Sequence, residues 1–397
     1  MGTAQNRAPF EAFVARRWVA LACGLIAVGA TLGMTGTATR ASPASRAALT
    51  YEAVDQIPAY VVEAPEWTAD VRDAPLERAL VAFDINTHDV TFGPLTLVGP
   101  HDSYRIFDPS QSGGTWAGPV ELSPDGRYLM TGHGQQTQLL DVTTGRTRML
   151  RAGAPLAWSP DGRQAVLAHF DGDKDAYPVS GQIRIVAIPS GEVLWSIPLE
   201  PGPLPRSVDA VLSPDGSTML VQRHGDLYAY RRGSGVVWHR SKSIDSLPGQ
   251  LAWNPDGRSV AFDNTGLCLV AADTGKTNRC LNWRFPLSQL TDAVQAFGSP
   301  EIVAWEGQTP TISVGNAVVR VSATPEVLLR TPRDTRHVKI ASSRVRWIPR
   351  QPGRPDPGPA IHRYRPIINI GGLAIVGVGV VNVAIRLRRR CARRPTR

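Results

Sequence analysis

An all-β fold of repeated four-stranded sheets is predicted by three features of this sequence. Glycine and proline are abundant, 37 and 33 of 397 residues, without low-complexity tracts, which favours many short strands joined by tight turns. A four-residue turn recurs as Ser123-Pro124-Asp125-Gly126, Ser159-Pro160-Asp161-Gly162, Ser213-Pro214-Asp215-Gly216 and Asn254-Pro255-Asp256-Gly257. A second turn recurs in step, as Thr144-Gly145, Ser190-Gly191, Ser234-Gly235 and Thr274-Gly275, its glycine following the first turn's by 19, 29, 19 and 18 residues. Two hairpins per unit mean four strands per unit, and internal repeats of this length built from four strands specify a β-propeller.

Residues 18–34 run without a charge behind Arg16-Arg17 and give way to small residues up to Ala41. A basic start, an apolar stretch and a small-residue exit are the marks of a secretory signal, with cleavage after Ala38 or Ala41. The 17 apolar residues also reach the lower edge of spanning length, so an uncleaved anchor is the alternative reading of residues 1–41. Residues 42–78 read as an extension lying against the first blade, and 79–349 as the propeller.

Within each unit, proline sets φ at the first central turn position, aspartate caps the next, and glycine accepts positive φ. Apolar residues flank every copy, as in Ala157-Trp158 before Ser159 and Ala165-Val166-Leu167 after it, so each turn joins two strands. Arg127, Arg163 and Arg258 take the fifth position, from which Ser217 departs. This repeated turn resembles that of the TolB-like and WD-repeat-like propeller families, over roughly residues 79–349. The resemblance implies the fold; it is silent on ligand, because the turn is a structural device. The Trp-Asp dipeptide that ends WD-repeat blades is absent.

Two degenerate units complete the ring. Ser299-Pro300 precedes a strand at 301–305, with 318–321 and 327–329 as the next hairpin, and 79–86 reads as a strand upstream. The stretch 337–348 has no partner in its own unit. Pairing it with 79–107 closes a ring of six blades, the preferred count; taking 60–63 as a further blade gives seven. Cys268 and Cys280 lie six residues either side of Thr274, opposite each other on one hairpin. They form a cross-strand disulfide in an oxidising compartment, or two buried thiols.

Residues 350–365, rich in proline and glycine, read as a semi-rigid spacer. Residues 366–385 carry no charge and as a helix extend about 30 Å, the thickness of a bilayer's hydrocarbon core. Seven arginines and no acid follow in 386–397, which places this tail in the cytoplasm and residues 42–365 outside. The chain is then a single-pass cell-membrane protein, or two-pass if the first segment is kept. Gly372 with Gly379, and Gly377 with Ala384, admit a homo-dimer through this helix, although no small-xxx-small motif is present. The net charge of +9 sits at the two ends, so the near-neutral body offers no footprint for nucleic acid.

Catalytic signatures are missing: no G-x-S-x-G, H-E-x-x-H, phosphate loop or C-x-x-C occurs. The turn aspartates repeat once per blade and serve the turn, not an asymmetric reaction. Asp171, Asp173 and Asp175 alternate on a short loop and could converge on a calcium ion. Ala176 and Gln182 depart from a calcium-loop pattern, and a solvated acidic loop is the alternative. His133, His169, His224 and Asn264 fall seven or eight residues after their turn glycines and mark a ligand face on the side opposite the turns. The strands entering the turns read Ala157-Trp158, Val211-Leu212 and Ala252-Trp253, so an apolar axis is expected. The reading is a non-catalytic, membrane-tethered, extracytoplasmic module that binds a protein, peptide or envelope ligand. The alternative is a lyase- or lactonase-type propeller enzyme with a polar or calcium site on one face.

Overall fold

The computed structural model describes residues 55–358 apart from 66, 86–92, 113–118, 172–178, 203–207, 224, 242–245, 265, 282–299, 323 and 333–334. The segments 18–34 and 366–385 lie outside the described residues. Within those described, no helix is long and apolar enough to cross a membrane.

The strands form six blades around an axis. A first strand, β1 (Asp55–Pro58), precedes the ring. Blade 1 takes β2 (Val81–Ile85), β3 (Leu95–Val98) and β4 (Tyr104–Phe107). Blade 2 takes β5 (Val120–Leu122), β6 (Tyr128–His133), β7 (Gln136–Asp141) and β8 (Arg146–Leu150). Blade 3 takes β9 (Ala154–Trp158), β10 (Gln164–Asp171), β11 (Val179–Ala187) and β12 (Val193–Gly202). Blade 4 takes β13 (Val208–Leu212), β14 (Thr218–Arg223), β15 (Asp226–Arg231) and β16 (Gly235–Arg240). Blade 5 takes β17 (Ser259–Asn264), β18 (Gly266–Ala271) and β19 (Thr277–Leu281), its innermost place held by a single bridge from Trp253 to Val260. Blade 6 takes β20 (Glu301–Glu306), β21 (Thr309–Val314), β22 (Ala317–Arg320) and β23 (Glu326–Arg330).

The stretch 337–348, expected as one strand, is two. β24 (Thr335–Ile340) is the innermost strand of blade 1, paired antiparallel with β2, so both ends of the repeat region close the ring in one blade. The chain then turns, Ala341 N donating to Leu80 O and Arg344 N to Ala341 O, and β25 (Val345–Arg350) pairs parallel with β1. Residues 60–63 make no blade: Tyr60 bridges to Arg330 of β23.

The repeated turn holds itself together. Ser123 Oγ donates to Asp125 Oδ1 (2.6 Å) and accepts from Tyr128 N (2.9 Å), while Arg127 N donates to the same carboxylate (3.1 Å). Ser159-Asp161 and Ser213-Asp215 repeat this set. Gly126 and Gly216 share φ of 71° and 69°, the left-handed region where a side chain is strained. The aspartates are spent on their own backbones. Just before the turns, Trp158, Trp253 and Trp305 take equivalent places, and two of their indoles tie neighbouring blades: Trp158 Nε1 donates to Glu121 O (3.0 Å) and Trp305 Nε1 to Leu251 O (2.8 Å).

Outside the ring, the extension acts as a strap. It bonds to Arg330 of blade 6 through Val61 N, to Ile106 of blade 1 through Val71 N, to Val142 of blade 2 through Leu76 N and to Gly126 through Ala79 N. The end of β25 and the chain after it also lie on blade 1: Arg350 pairs with the buried Asp102, and Tyr104 N donates to Asp356 O. Residues 350–358, expected to be spacer, are thus docked on the propeller rather than extended away from it. The strap covers outer strand edges that would otherwise present unpaired backbone groups.

Candidate functional site: an axial cavity with a buried charged cluster

Each innermost strand enters from the face opposite the repeated turns and runs down the axis. On that entry face a cavity of about 510 Å³ opens among the strands. Its lining includes Glu121 of β5, Leu156 of β9, Phe170 of β10, Asp209 of β13, Glu301 of β20 and Lys339 of β24. An apolar axis was expected from three of the innermost strands, and this is corrected: four ionisable side chains from four blades line the cavity.

Lys339 Nζ donates to Glu121 Oε1 (3.0 Å) and to Glu301 Oε1 (2.5 Å), tying blade 1 to both of its neighbours. The Lys339 and Glu121 side chains are only 7% and 8% exposed. The second oxygen of Glu121, Oε2, is buried with no hydrogen-bond partner, as is Ser246 Oγ on the same lining. Three carboxyl groups and one ammonium thus line the cavity, and Glu121 Oε2 is a buried carboxyl oxygen left without a partner.

Burial pushes the Glu121 carboxyl up to about 8, aided by the nearby charge of Glu301 and opposed by Lys339. Burial likewise raises Asp209. Burial alone would lower Lys339, but the Glu121 and Glu301 carboxylates outweigh it, and its ammonium is held above the ordinary lysine range. The cluster thus keeps its lysine charged, while burial holds the Glu121 carboxyl well above the ordinary glutamate range.

Three features hold the cluster in place. Trp158, from the next blade, fixes the Glu121 backbone. Gly249, with φ of 79°, leaves room for Glu301, whose side chain a Cβ there would overlap. Beneath, the buried Gln250 reaches from the blade 5 approach across the axis, its amide donating to Leu122 O (3.2 Å) and its oxygen accepting from Trp158 N (3.2 Å).

His133 ends β6 and His169 lies near the end of β10, both half-buried, each with a buried Nδ1 that has no partner. His169 adjoins Phe170 of the cavity wall, and its Nε2 lies 3.7 Å from Asp171 Oδ1. Asn264 ends β17, its side chain outside the described set, and His224 lies outside it altogether. Of the calcium candidates only Asp171 is described, exposed at the end of β10; Asp173 and Asp175 fall outside. Among the described residues no group of three or more His, Cys, Asp or Glu is arranged to hold a metal ion. Cys268 and Cys280 sit directly opposite on β18 and β19 and are joined as a disulfide.

Sequence reasoning missed Glu121, Asp209, Glu301 and Lys339. For Glu121 a signal existed: it stands two residues before its turn, where the other copies carry Ala157, Val211 and Ala252. Glu301 and Lys339 lie in units without the repeated turn, so no alignment exposes them.

No family model matches this sequence, and no curated protein matches it. Among solved structures it is similar to TolB from Acinetobacter baumannii (14% identity, TM-score 0.39, 65% of this chain and 66% of that one). It is also similar to Kuenenia stuttgartiensis hydrazine synthase (16%, 0.38, 70% and 80%) and Pyrococcus horikoshii acylaminoacyl peptidase (12%, 0.39, 66% and 47%). The chain therefore matches just under two thirds of that TolB and about half of the peptidase.

Proposed function

We propose that this propeller is a membrane-tethered, extracytoplasmic binding module, without catalysis of its own, that receives a protein, peptide or envelope ligand on its entry face. The observation that carries the reading is the axial cavity, which opens on the side where β6 and β10 end. On the opposite face the three Ser-Pro-Asp-Gly turns are closed by their own hydrogen bonds, and the first of them is also covered by the strap at Ala79. Tethering is supported by the charge-free segments 18–34 and 366–385 with their flanking arginines, and a disulfide suits an oxidising compartment. A photo-crosslinking residue placed at His133 should trap a partner in intact cells, and the same residue at the exposed Arg163 should not. Crosslinks from Arg163 alone would reverse the choice of face.

A second reading, a propeller enzyme, is favoured by one observation: Glu121 holds a proton near neutral pH beside a charged lysine, as an acid–base group would. Turnover of any lactone or uronide that Glu121→Gln abolishes in folded protein would establish it over the binding reading.

A further inference from the structure

We infer that the axial cavity seats a primary ammonium group carried on an apolar stem, bound against Glu121 and Asp209. The inference rests on the entry face being the binding face and names the chemistry it recognises.

Lys339 already engages Glu121 Oε1 and Glu301 Oε1, which leaves Glu121 Oε2 without a partner and Asp209 on the opposite side of the ring with no ion pair among the described residues. A buried carboxyl oxygen left unpaired is costly in either protonation state, and an ammonium that takes the place of the carboxyl proton relieves that cost. With Glu121 ionised the cluster sets three carboxylates against one ammonium, so the donor should be cationic, and an anion would meet three carboxyl groups. Around these groups the wall is apolar, with Leu156, Phe170, Val211 and Leu247 on it. A hydrated divalent ion would face that wall and the Lys339 ammonium. A neutral apolar ligand would leave Glu121 Oε2 unpaired. An alkylammonium satisfies both parts of the site, and a volume near 510 Å³ is ample for a lysyl side chain or a free small amine.

Binding should tighten with pH. Glu121 is faced by Lys339 from β24 and Glu301 from β20, with Asp209 on β13 across the cavity. The ligand must displace the proton that burial keeps on Glu121, whereas its own ammonium stays charged to about pH 10. Affinity at pH 9 should therefore exceed that at pH 6 by about tenfold or more.

The test is calorimetric titration of the full chain, in mild detergent, with n-pentylamine and with n-pentanol. The amine should bind once per chain and pentanol should not. Acetyl-Ala-Lys-Ala-amide against its norleucine counterpart separates the sources: binding of the lysyl peptide assigns a protein side chain, and binding of pentylamine alone assigns a free amine. Glu121→Gln, which mimics the protonated carboxyl, should weaken the amine at least tenfold and abolish the pH dependence. Should that variant fail to fold, Leu156→Trp fills the cavity from a wall without charge and should also abolish binding. Equal binding of amine and alcohol, or amine binding unchanged in either folded variant, overturns the inference. Crosslinking from His133 reads the partner face independently, so either result can fail without the other.

Discussion

Replacing Glu121 by Gln should change how stability depends on pH, and the structure gives both the sign and a ceiling. In the folded chain burial raises this carboxyl from 4.5 to about 8, so the native state keeps a proton that the unfolded chain releases. The stability linked to that proton is complete below about pH 4.5 and is lost as pH rises through about 8. Each pH unit by which folding displaces a titration is worth about 1.4 kcal/mol, which caps the effect at about 5 kcal/mol. Part of it is shared with Glu301 through Lys339, so a loss of about 2–4 kcal/mol between pH 5 and 9 is expected for the wild type relative to the variant. Glutamine cannot ionise and escapes the loss. Urea unfolding followed by tryptophan fluorescence at pH 5, 6, 7, 8 and 9 measures it. Asp102, Asp141 and Asp215 are held below the ordinary aspartate range and act at more acidic pH, equally in both proteins, so they cancel in the difference. Stability curves that run parallel from pH 5 to 9 would refute the reasoning, because they would mean that Glu121 ionises in the folded chain as it does in water.

Three further outcomes follow from the scaffold. Gly126→Ala and Gly216→Ala share nearly the same positive φ and so the same backbone strain of about 1–2 kcal/mol, but only at Gly126 would the new Cβ overlap the strap at Ala79 O. Urea denaturation should therefore show Gly126→Ala the more destabilised by about 2 kcal/mol; equal losses would mean that the strap is not seated there. Cys268→Ser should lower stability by about 2–3 kcal/mol under oxidising conditions and by nothing measurable in reductant, and free thiols at both positions in unreduced protein would contradict the bridge. Protease added to spheroplasts should digest the propeller and spare a tag at Arg397, whereas loss of the tag would invert the proposed topology.

Much of the fold was legible because its signals are local. Ser123, Asp125 and Gly126 make their turn within five residues, the same chemistry recurs at 159 and 213, and at 254 an asparagine turn with its own local bonds keeps the blade spacing. The ring closure was legible for a related reason: a strand-forming stretch near 337–348 with no neighbour must find one elsewhere. Its division into β24 and β25 was not, since the break depends on Leu80 O accepting from Ala341 N after the ring has closed.

The axial cluster belongs wholly to the tertiary structure. Glu121 and Lys339 are 218 residues apart, and neither carries any mark of the other in its own neighbourhood. Only when six sheets are arranged around one axis do β5, β13, β20 and β24 bring their side chains to a common space, where burial raises two of the carboxyls while the lysine stays charged among its acidic neighbours. By itself the sequence determined the turn, the repeat, the four-stranded blade and the facing cysteines, because hydrogen bonds over a few residues specify each of them. The closed ring decided which polar residues meet at its centre, because desolvation and charge pairing act through space and not along the chain.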